Sequence, residues 1–313
     1  MDEGRIAGAW SGGRDSTALL HATLVAAASL GVEVLALHVH HGLSPNADAW
    51  AAHCEPQCRR WARRGLVLRL FVTRLEGGPP RGESIEAWAR RERYRALRRM
   101  ALEQGAGTVL LAHHRLDQAE TVLIQALRGG GVAGLAGMPR ETEREGLRWL
   151  RPWLAHGADE IAAYVRRHRL RHIEDESNAD ARFARNRLRL QVWQAIEQAF
   201  PSAQSTLADA AAWAQEASAC LDELARDDLA SAASAKGLSV AAWRELSTAR
   251  RSNALRHWLR GQLGQPAPAS LVTRLMDELG RAKQGRWPVE RGQLRVYRGH
   301  LSWISEAITE ALH

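Results

Sequence analysis

The chain has 313 residues, enough for two ordinary domains, and its 45 % apolar and 25 % charged residues are the balance of a globular protein. Its 43 basic against 35 acidic residues leave a net charge of +8, which favours an anionic partner; all the bases but Lys236 and Lys283 are arginines, whose guanidinium pairs bidentately with phosphate. No apolar run reaches the ~20 residues of a membrane helix, the acidic start is unlike a secretory signal, and three cysteines (Cys54, Cys58, Cys220) make no disulfide scaffold, so a cytoplasmic protein without a membrane part is expected.

In chain order, a short strand is expected over 6–10, a helix over 15–29 and a strand over 32–40, whose continuous apolar run marks burial on both faces. A helix over 47–64, a strand over 66–72, a charged amphipathic helix over 84–104, a strand over 108–112 and a helix over 116–128 follow. This strand–helix alternation predicts an α/β parallel sheet with helices on both faces. Beyond it come a glycine-rich loop (129–137), a charged turn (140–145), a helix (158–168), a polar loop (174–185) and a helix (187–200) ending before Pro201. From Gln204 the chain reads as nearly all helix, closing in a small hairpin or meander around Val289, Leu294, Val296, Leu301 and Trp303. The expected domains are 1–210, the α/β part, and 211–313, smaller and mainly helical.

Ser11-Gly12-Gly13-Arg14-Asp15-Ser16 lies between an expected strand and helix. Two glycines let backbone N–H groups turn toward an anion, the helix N-terminus adds its positive end, and Ser11 and Ser16 add hydroxyls. Asp15 either holds Mg²⁺ or caps the helix. The segment is neither a Walker A loop nor GxGxxG. In a second element, His113 to Thr121, Asp117 and Glu120 share the face of a first helical turn, where two acids bind a metal or an ammonium group or simply cap the helix. His38 and His40 share a strand face but lack the further ligands of a zinc site, and Cys54 and Cys58 are CxxxC, not CxxC. Arginines crowd at 59–64, 90–99, 166–171 and 182–189, mostly as solvated helix faces, with some available to nucleic-acid phosphates. The twelve tryptophans are mainly core.

Together these blocks resemble the tRNA(Ile)-lysidine synthetases, members of the PP-loop (N-type) ATP pyrophosphatases. The similar segments are Ser11–Ser16, His38 to Ser44 (HVHHGLS), Glu86 to Tyr94 (EAWARRERY), Ala112 to Thr121 (AHHRLDQAET), Arg128 to Met138 (RGGGVAGLAGM), Arg151-Pro152, Asp175 to Asn178 (DESN) and Arg185 to Arg189 (RNRLR). The resemblance implies an adenine nucleotide alpha hydrolase-like fold and a two-step reaction. ATP activates the C2 carbonyl of the wobble cytidine of a CAU-anticodon tRNA(Ile) as an adenylate, releasing pyrophosphate. L-lysine then displaces AMP to give lysidine.

It assigns ATP binding to Ser11, Gly12, Gly13, Arg14, Asp15, Ser16 and His38, and Mg²⁺ to Asp15. Arg93 would stabilise the α-phosphate, Asp117 and Glu120 would receive lysine, and Arg185, Asn186 and Arg189 would bind tRNA, with Asp15, Arg93, Asp117 and Glu120 forming the catalytic set. A possible homodimer, a PP-loop catalytic domain over 1–210 with a tRNA-binding and substrate domain over 211–313, and a short form without the extra C-terminal domain of longer members are also implied. The chain departs from the family pattern in having Leu116 where a second acid is frequent, and in lacking a proline soon after Arg189. Competing readings are a PP-loop thiolase of the 2-thiocytidine type, a GMP- or NAD-synthetase-like ligase, and a non-catalytic RNA-binding protein on the same scaffold.

Overall fold

A computed structural model describes residues 4–40, 42, 47–82, 84–174, 181–290 and 292–305. His41, Leu43, Ser44 and the Asp175 to Asn178 block lie outside these residues. The chain divides into two compact units, Met1–Gln215 and Glu216–His313.

The first unit runs β1 (Arg5–Ala9), α1 (Arg14–Ala28), β2 (Glu33–His40), α2 (Ala47–Ala62), β3 (Leu68–Arg74), α3 (Ile85–Glu103), β4 (Thr108–Leu110), α4 (Arg115–Leu127), α5 (Val132–Leu135), β5 (Glu141–Arg144), β6 (Leu147–Leu150), α6 (Ala158–His168), α7 (Ala184–Arg187), a π-helical turn (Leu188–Trp193) and α8 (Gln194–Ala199). α9 (Ala203–Ala232) begins in this unit. Its six strands lie in the order β3-β2-β1-β4-β6-β5, parallel except for β5, as the sequence implies for the fold class.

The apolar run of β2 explains the layers. Leu35, Leu37 and Val39 pack with Ala7, Val109 and Leu147 beneath Ala96, Leu97 and Met100 of α3. Val34 and Ala36 point the other way, onto Leu20 and Leu24 of α1, Trp61 of α2 and Ile161 of α6. Leu35 and Leu37 are wholly buried, and truncating either to alanine costs about 2–5 kcal/mol. The chain winds outward from β1 to β3 and then returns to place β4 on the other side of β1. Parallel sheets bind ligands outside their carboxyl ends at such a reversal.

Four local expectations change. Residues 140–145, expected as a charged turn, form edge strand β5, whose Glu141, Glu143 and Arg144 face solvent. β6 has only four residues between Gly146 and Arg151, too short for its periodicity to stand out. The glycine-rich 129–137 segment contains one helical turn, α5. The helix expected over 187–200 starts at Ala184 and passes through the π-helical turn.

The second unit holds the rest of α9, then β7 (Ala233–Ser234), β8 (Gly237–Ser239), α10 (Val240–Glu245), α11 (Thr248–Leu263), α12 (Ala269–Glu278), β9 (Gly285–Val289), β10 (Gly292–Tyr297) and β11 (His300–Ser305). The expected hairpin is thus part of a five-stranded antiparallel sheet, β7-β8-β11-β10-β9. Its first two strands come from ASAKGLS, a segment without aromatic or β-branched residues and hence without a strand signature. Trp243, Leu255, Leu259, Leu275, Trp287 and Leu294 form its core.

Candidate functional site

The Ser11–Ser16 segment leaves the carboxyl end of β1 and opens α1, whose N-cap, Gly13, has no side chain to cap it. Gly12 sits at φ +88°, left-handed backbone that glycine adopts freely, and a Cβ there would lie 2.8 Å from Ile173 Cδ1. Ser11 Oγ and Ser16 Oγ share a hydrogen bond of 3.0 Å, Gly13 N donates to Ser11 Oγ (3.3 Å), and Ser16 Oγ donates to Gly13 O (3.1 Å). From below, Thr17 Oγ1 donates to Gly12 O (3.2 Å) and accepts from Trp10 Nε1 (2.9 Å). From the side, Gly13 forms a parallel bridge with Ile173, whose N–H donates to Gly12 O (2.9 Å). The result is a fixed turn at an uncapped helix N-terminus, the arrangement that receives phosphate.

Asp15 lies on the first turn of α1. Burial alone would raise its pKa, but hydrogen bonds from His114 and Arg14 outweigh this and hold the carboxyl below its ordinary value. Arg14 Nε is 2.8 Å from Asp15 Oδ1. His114, at the start of α4, places Nε2 3.6 Å from Asp15 Oδ2 and 3.5 Å from Asp117 Oδ2. Burial pulls the imidazole down, and these two carboxylates more than reverse it, so His114 titrates above its ordinary value. Asp117 Oδ2 also accepts the His114 backbone N–H (3.0 Å), the helix-capping role that the sequence leaves open beside ligand binding.

Glu120, one turn on, has no exposed surface. It carries Arg189 bidentately, Nε to Oε1 at 2.7 Å and Nη2 to Oε2 at 2.9 Å, with Arg185 Nε at 3.5 Å. Burial pushes its carboxyl up against the pull of Arg189. Arg185 also donates to Thr121 Oγ1 (2.8 Å), and Arg189 Nη2 lies 3.6 Å from Asp117 Oδ1. α7 and the π-helical turn thus place Arg185 and Arg189 on the two acids of α4. Both arginines and Glu120 are engaged within the protein, where the sequence assigns the arginines to tRNA and Glu120 to lysine. Asn186 is half-buried on α7.

A cationic flank adjoins the acids. Arg93 is half-buried on α3 and has no acidic partner among the described residues; burial lowers its pKa, and it remains a cation. Arg151, at the carboxyl end of β6, is 7 % exposed, donates to Pro139 O (2.8 Å) and leaves Nε without a partner. Burial, with the charges of Arg151, Arg93, Arg90 and Arg185, drives His113 well below its ordinary pKa, so this imidazole is neutral.

Comparison with known proteins gives the family. Residues 1–196 match the PP-loop domain family and residues 238–302 the TilS substrate binding domain family. The chain is 43 % identical over 307 residues to tRNA(Ile)-lysidine synthase of Ralstonia nicotianae, an alignment covering 96 % of this chain and 65 % of that protein. It is 40 % identical over 302 residues to tRNA(Ile)-lysidine synthase of Escherichia coli O157:H7, covering 95 % and 68 %. The chain belongs to the tRNA(Ile)-lysidine synthase family. It spans about two thirds of the length of these relatives. The U34-tRNA thiolase NcsA from Methanococcus maripaludis, solved with its [4Fe-4S] cluster, is similar in fold, with a TM-score of 0.55 at 14 % identity over 68 % of this chain and 72 % of that one.

In this lysidine synthase family member His38, expected at the nucleotide, is buried under the loop and donates from Nδ1 to Trp10 O (2.9 Å). His40 Nε2 donates to Asp48 Oδ1 (3.0 Å), and its Nδ1 accepts from Gly42 N. Burial pushes the thiols of Cys54 and Cys58 up to about 12 and about 11. Among the described residues no group of three or more His, Cys, Asp or Glu is arranged to hold a metal. Mg²⁺ commonly takes only one or two carboxylates alongside substrate phosphates, and Asp15 beside the open helix end fits that donor set.

Sequence reasoning gives no role to His114, which joins Asp15 to Asp117, or to Gln118. The Gln118 side chain grips Met138 through both its N–H (2.8 Å) and its C=O (3.0 Å), which ties the glycine-rich segment to α4. Both lie inside the AHHRLDQAET block, the available signal, but neither partner is adjacent in sequence.

Proposed function

We propose that this chain ligates L-lysine to C2 of the wobble cytidine of CAU-anticodon tRNA(Ile), using ATP and Mg²⁺ and passing through an adenylated tRNA. The observation that carries this reading is the convergence of the phosphate-shaped Ser11–Ser16 turn and the Asp15–His114–Asp117 chain at the carboxyl ends of β1 and β4. The names of the relatives support it.

In this reading the turn and the first N–H groups of α1 hold the β- and γ-phosphates, neutralising the pyrophosphate that leaves as the cytidine C2 oxygen attacks the α-phosphorus. Mg²⁺ on Asp15, when bound, would further neutralise the charge of that leaving group. Arg93, a cation with no acidic partner among the described residues, stabilises the charge that grows at the α-phosphate. Asp117 receives the cationic lysine; the lysine amine gives a proton to a carboxylate or phosphate and attacks C2, and the C2–O bond breaks to release AMP. Glu120 acts one step back by holding Arg189 and Arg185, which fix the Asp117 side of the pocket. His38 supports the loop through Trp10. The target base has to be splayed out of the anticodon loop, which is easier there than in a duplex.

Among the described residues no helix is long and apolar enough to cross a membrane; a cytoplasmic location belongs to this reading because its substrate is a tRNA. A homodimer belongs to the same reading, to be measured by sedimentation. Against a thiolase stand Cys54 and Cys58, held as thiols and not as the nucleophilic thiolates sulfur transfer uses.

The test is transfer of labelled lysine to a CAU-anticodon isoleucine tRNA transcript with ATP and Mg²⁺, with the CAU-anticodon elongator methionine tRNA as control. Label on the isoleucine tRNA alone is the expected result. Pyrophosphate release without lysine transfer would overturn the reading in favour of another PP-loop tRNA-modifying activity.

A further inference from the structure

Helical spacing puts Ala203, Leu207, Ala211 and Gln215 on one face of α9. Ala203 and Ala211 are buried, and Gln215, which closes this apolar stripe, is half-buried. Its amide meets the glycine-rich segment. α5 is a single helical turn, and a helix end leaves its last carbonyls without partners inside the helix. Ala136 is the C-cap of α5, and Gly137, at φ +59°, is the left-handed residue that ends it. Gln215 Nε2 donates to the freed Ala136 O (2.7 Å) and to Met138 O (3.2 Å). Met138 O also accepts from Gln118 Nε2 (3.0 Å), so glutamines from α9 and α4 meet on one carbonyl.

The contact is tight on the α4 side as well. Met138 and Gln118 are both buried, and a Cβ on Gly137 would lie 2.8 Å from Gln118 Oε1, so the segment cannot shift far without moving Gln118. Gln118 follows Asp117 in the first turn of α4. Asp117 in turn accepts the His114 N–H (3.0 Å) and lies 3.5 Å from His114 Nε2, which reaches Asp15. Two hydrogen-bonded steps and one backbone step therefore lead from Gln215 to Asp117, all within the first unit. Misplacing a reacting group by about 1 Å can cost about 100-fold in rate, even when the change that causes it is remote from the chemistry.

We infer that Gln215 is a positioning residue for lysine transfer: through Met138 and Gln118 it fixes the turn of α4 that presents Asp117. Gln215 is the last residue of the first unit, and α9 runs on from it toward residues 238–302, which match the substrate binding domain. The acid that receives lysine is thus braced from the helix that leads to that domain. The role in lysine transfer rests on the lysidine-forming function proposed above; the hydrogen bonds from Gln215 are independent of it.

The experiment compares the full chain with Q215A, Q215E and Q215K in four measurements: lysine transfer to the CAU-anticodon isoleucine tRNA transcript, tRNA-dependent pyrophosphate release, tRNA affinity and Tm. Q215A is expected to raise KM for lysine about tenfold while KM for ATP and tRNA affinity stay within about twofold. Q215E is close to glutamine in size but offers the two carbonyls no N–H, and should be at least as impaired as Q215A. Q215K, whose ammonium donates to both carbonyls, should bring KM for lysine back to within about twofold of wild type. Unchanged KM for lysine in Q215A and Q215E would overturn the proposal and leave the function standing. So would a fall in Tm with equal loss in every parameter that Q215K does not restore, since that marks a merely structural tie. A wild-type chain that releases pyrophosphate with tRNA but transfers no lysine would overturn both.

Discussion

Replacing Arg189 by Met removes the bidentate partner of a carboxylate that has no exposed surface. Breaking a buried pair from one side generally costs about 3–5 kcal/mol, because the remaining charge is stranded. Two features place this case at the lower end: the Arg189 side chain is 35 % exposed, and Arg185 stays 3.5 Å from Glu120. We expect about 3 kcal/mol at about pH 8, or roughly 6–12 °C in Tm for a unit of this size. The sign of the pH dependence follows from Glu120. Burial already raises its folded-state pKa, and losing Arg189 raises it further. A raised carboxyl favours the folded state at low pH, and that contribution is lost as pH rises through the folded value. The deficit of Arg189→Met is therefore largest at about pH 8 and shrinks toward the acidic end of the range, as Glu120 takes up a proton. Adding Glu120→Gln should recover much of the loss. Thermal unfolding of wild type, both single variants and the double variant across this range measures all of it. A loss below about 1 kcal/mol, or one that is the same at both ends of the range, would refute the stranded-charge argument.

Asp15→Ala is expected to lower tRNA-dependent pyrophosphate release at least about 100-fold while leaving tRNA affinity unchanged; persistent activity would make Asp15 a cap only. Asp117→Ala should raise KM for lysine more than KM for ATP in the transfer assay, whereas an equal rise in both would indicate a metal role. Gly12→Ala puts a side chain at φ +88° against Ile173 and should weaken ATP binding about tenfold, read by the ATP-induced rise in Tm. His114 gains affinity for its proton from Asp15 and Asp117, so its stabilisation is present below the ordinary imidazole pKa and fades as pH rises through the raised folded value. Asp15, held low, contributes above the ordinary carboxylate pKa and loses that contribution as pH falls through its folded value. His114→Asn should accordingly flatten the Tm-against-pH profile on the alkaline side.

The α/β layering is legible in the sequence because β2 is apolar at consecutive positions, and only a strand covered on both faces needs that. The Ser11–Ser16 turn is legible because paired glycines at a strand–helix junction mark a sharp, left-handed-capable turn. β6 is hidden by its length, and β5 by charges that suit an edge strand as well as a turn. Within the site, Asp117 and Glu120 are legible as a pair through helical spacing, but their partners are not. Arg185 and Arg189 sit 64 and 69 positions beyond the α4 residues they bind, and arginine-rich helices look alike until something buries one of them. The expectation that these arginines face tRNA follows from the family resemblance; their engagement with acids follows from tertiary placement.

The bridge between Gly13 and Ile173 joins the two ends of most of the first unit. Contacts of such sequence separation form only after a large loss of loop entropy, and they slow folding. The Ser11–Ser16 turn therefore takes its final shape only once the chain through Ile173 has been made and docked, although its own residues are among the first to be synthesised. A nascent or truncated chain ending short of that point carries the glycines and serines without the finished cradle. A ligand held by the turn would thus report on folding of the chain from β1 through Ile173, and would stabilise α6 along with the turn itself.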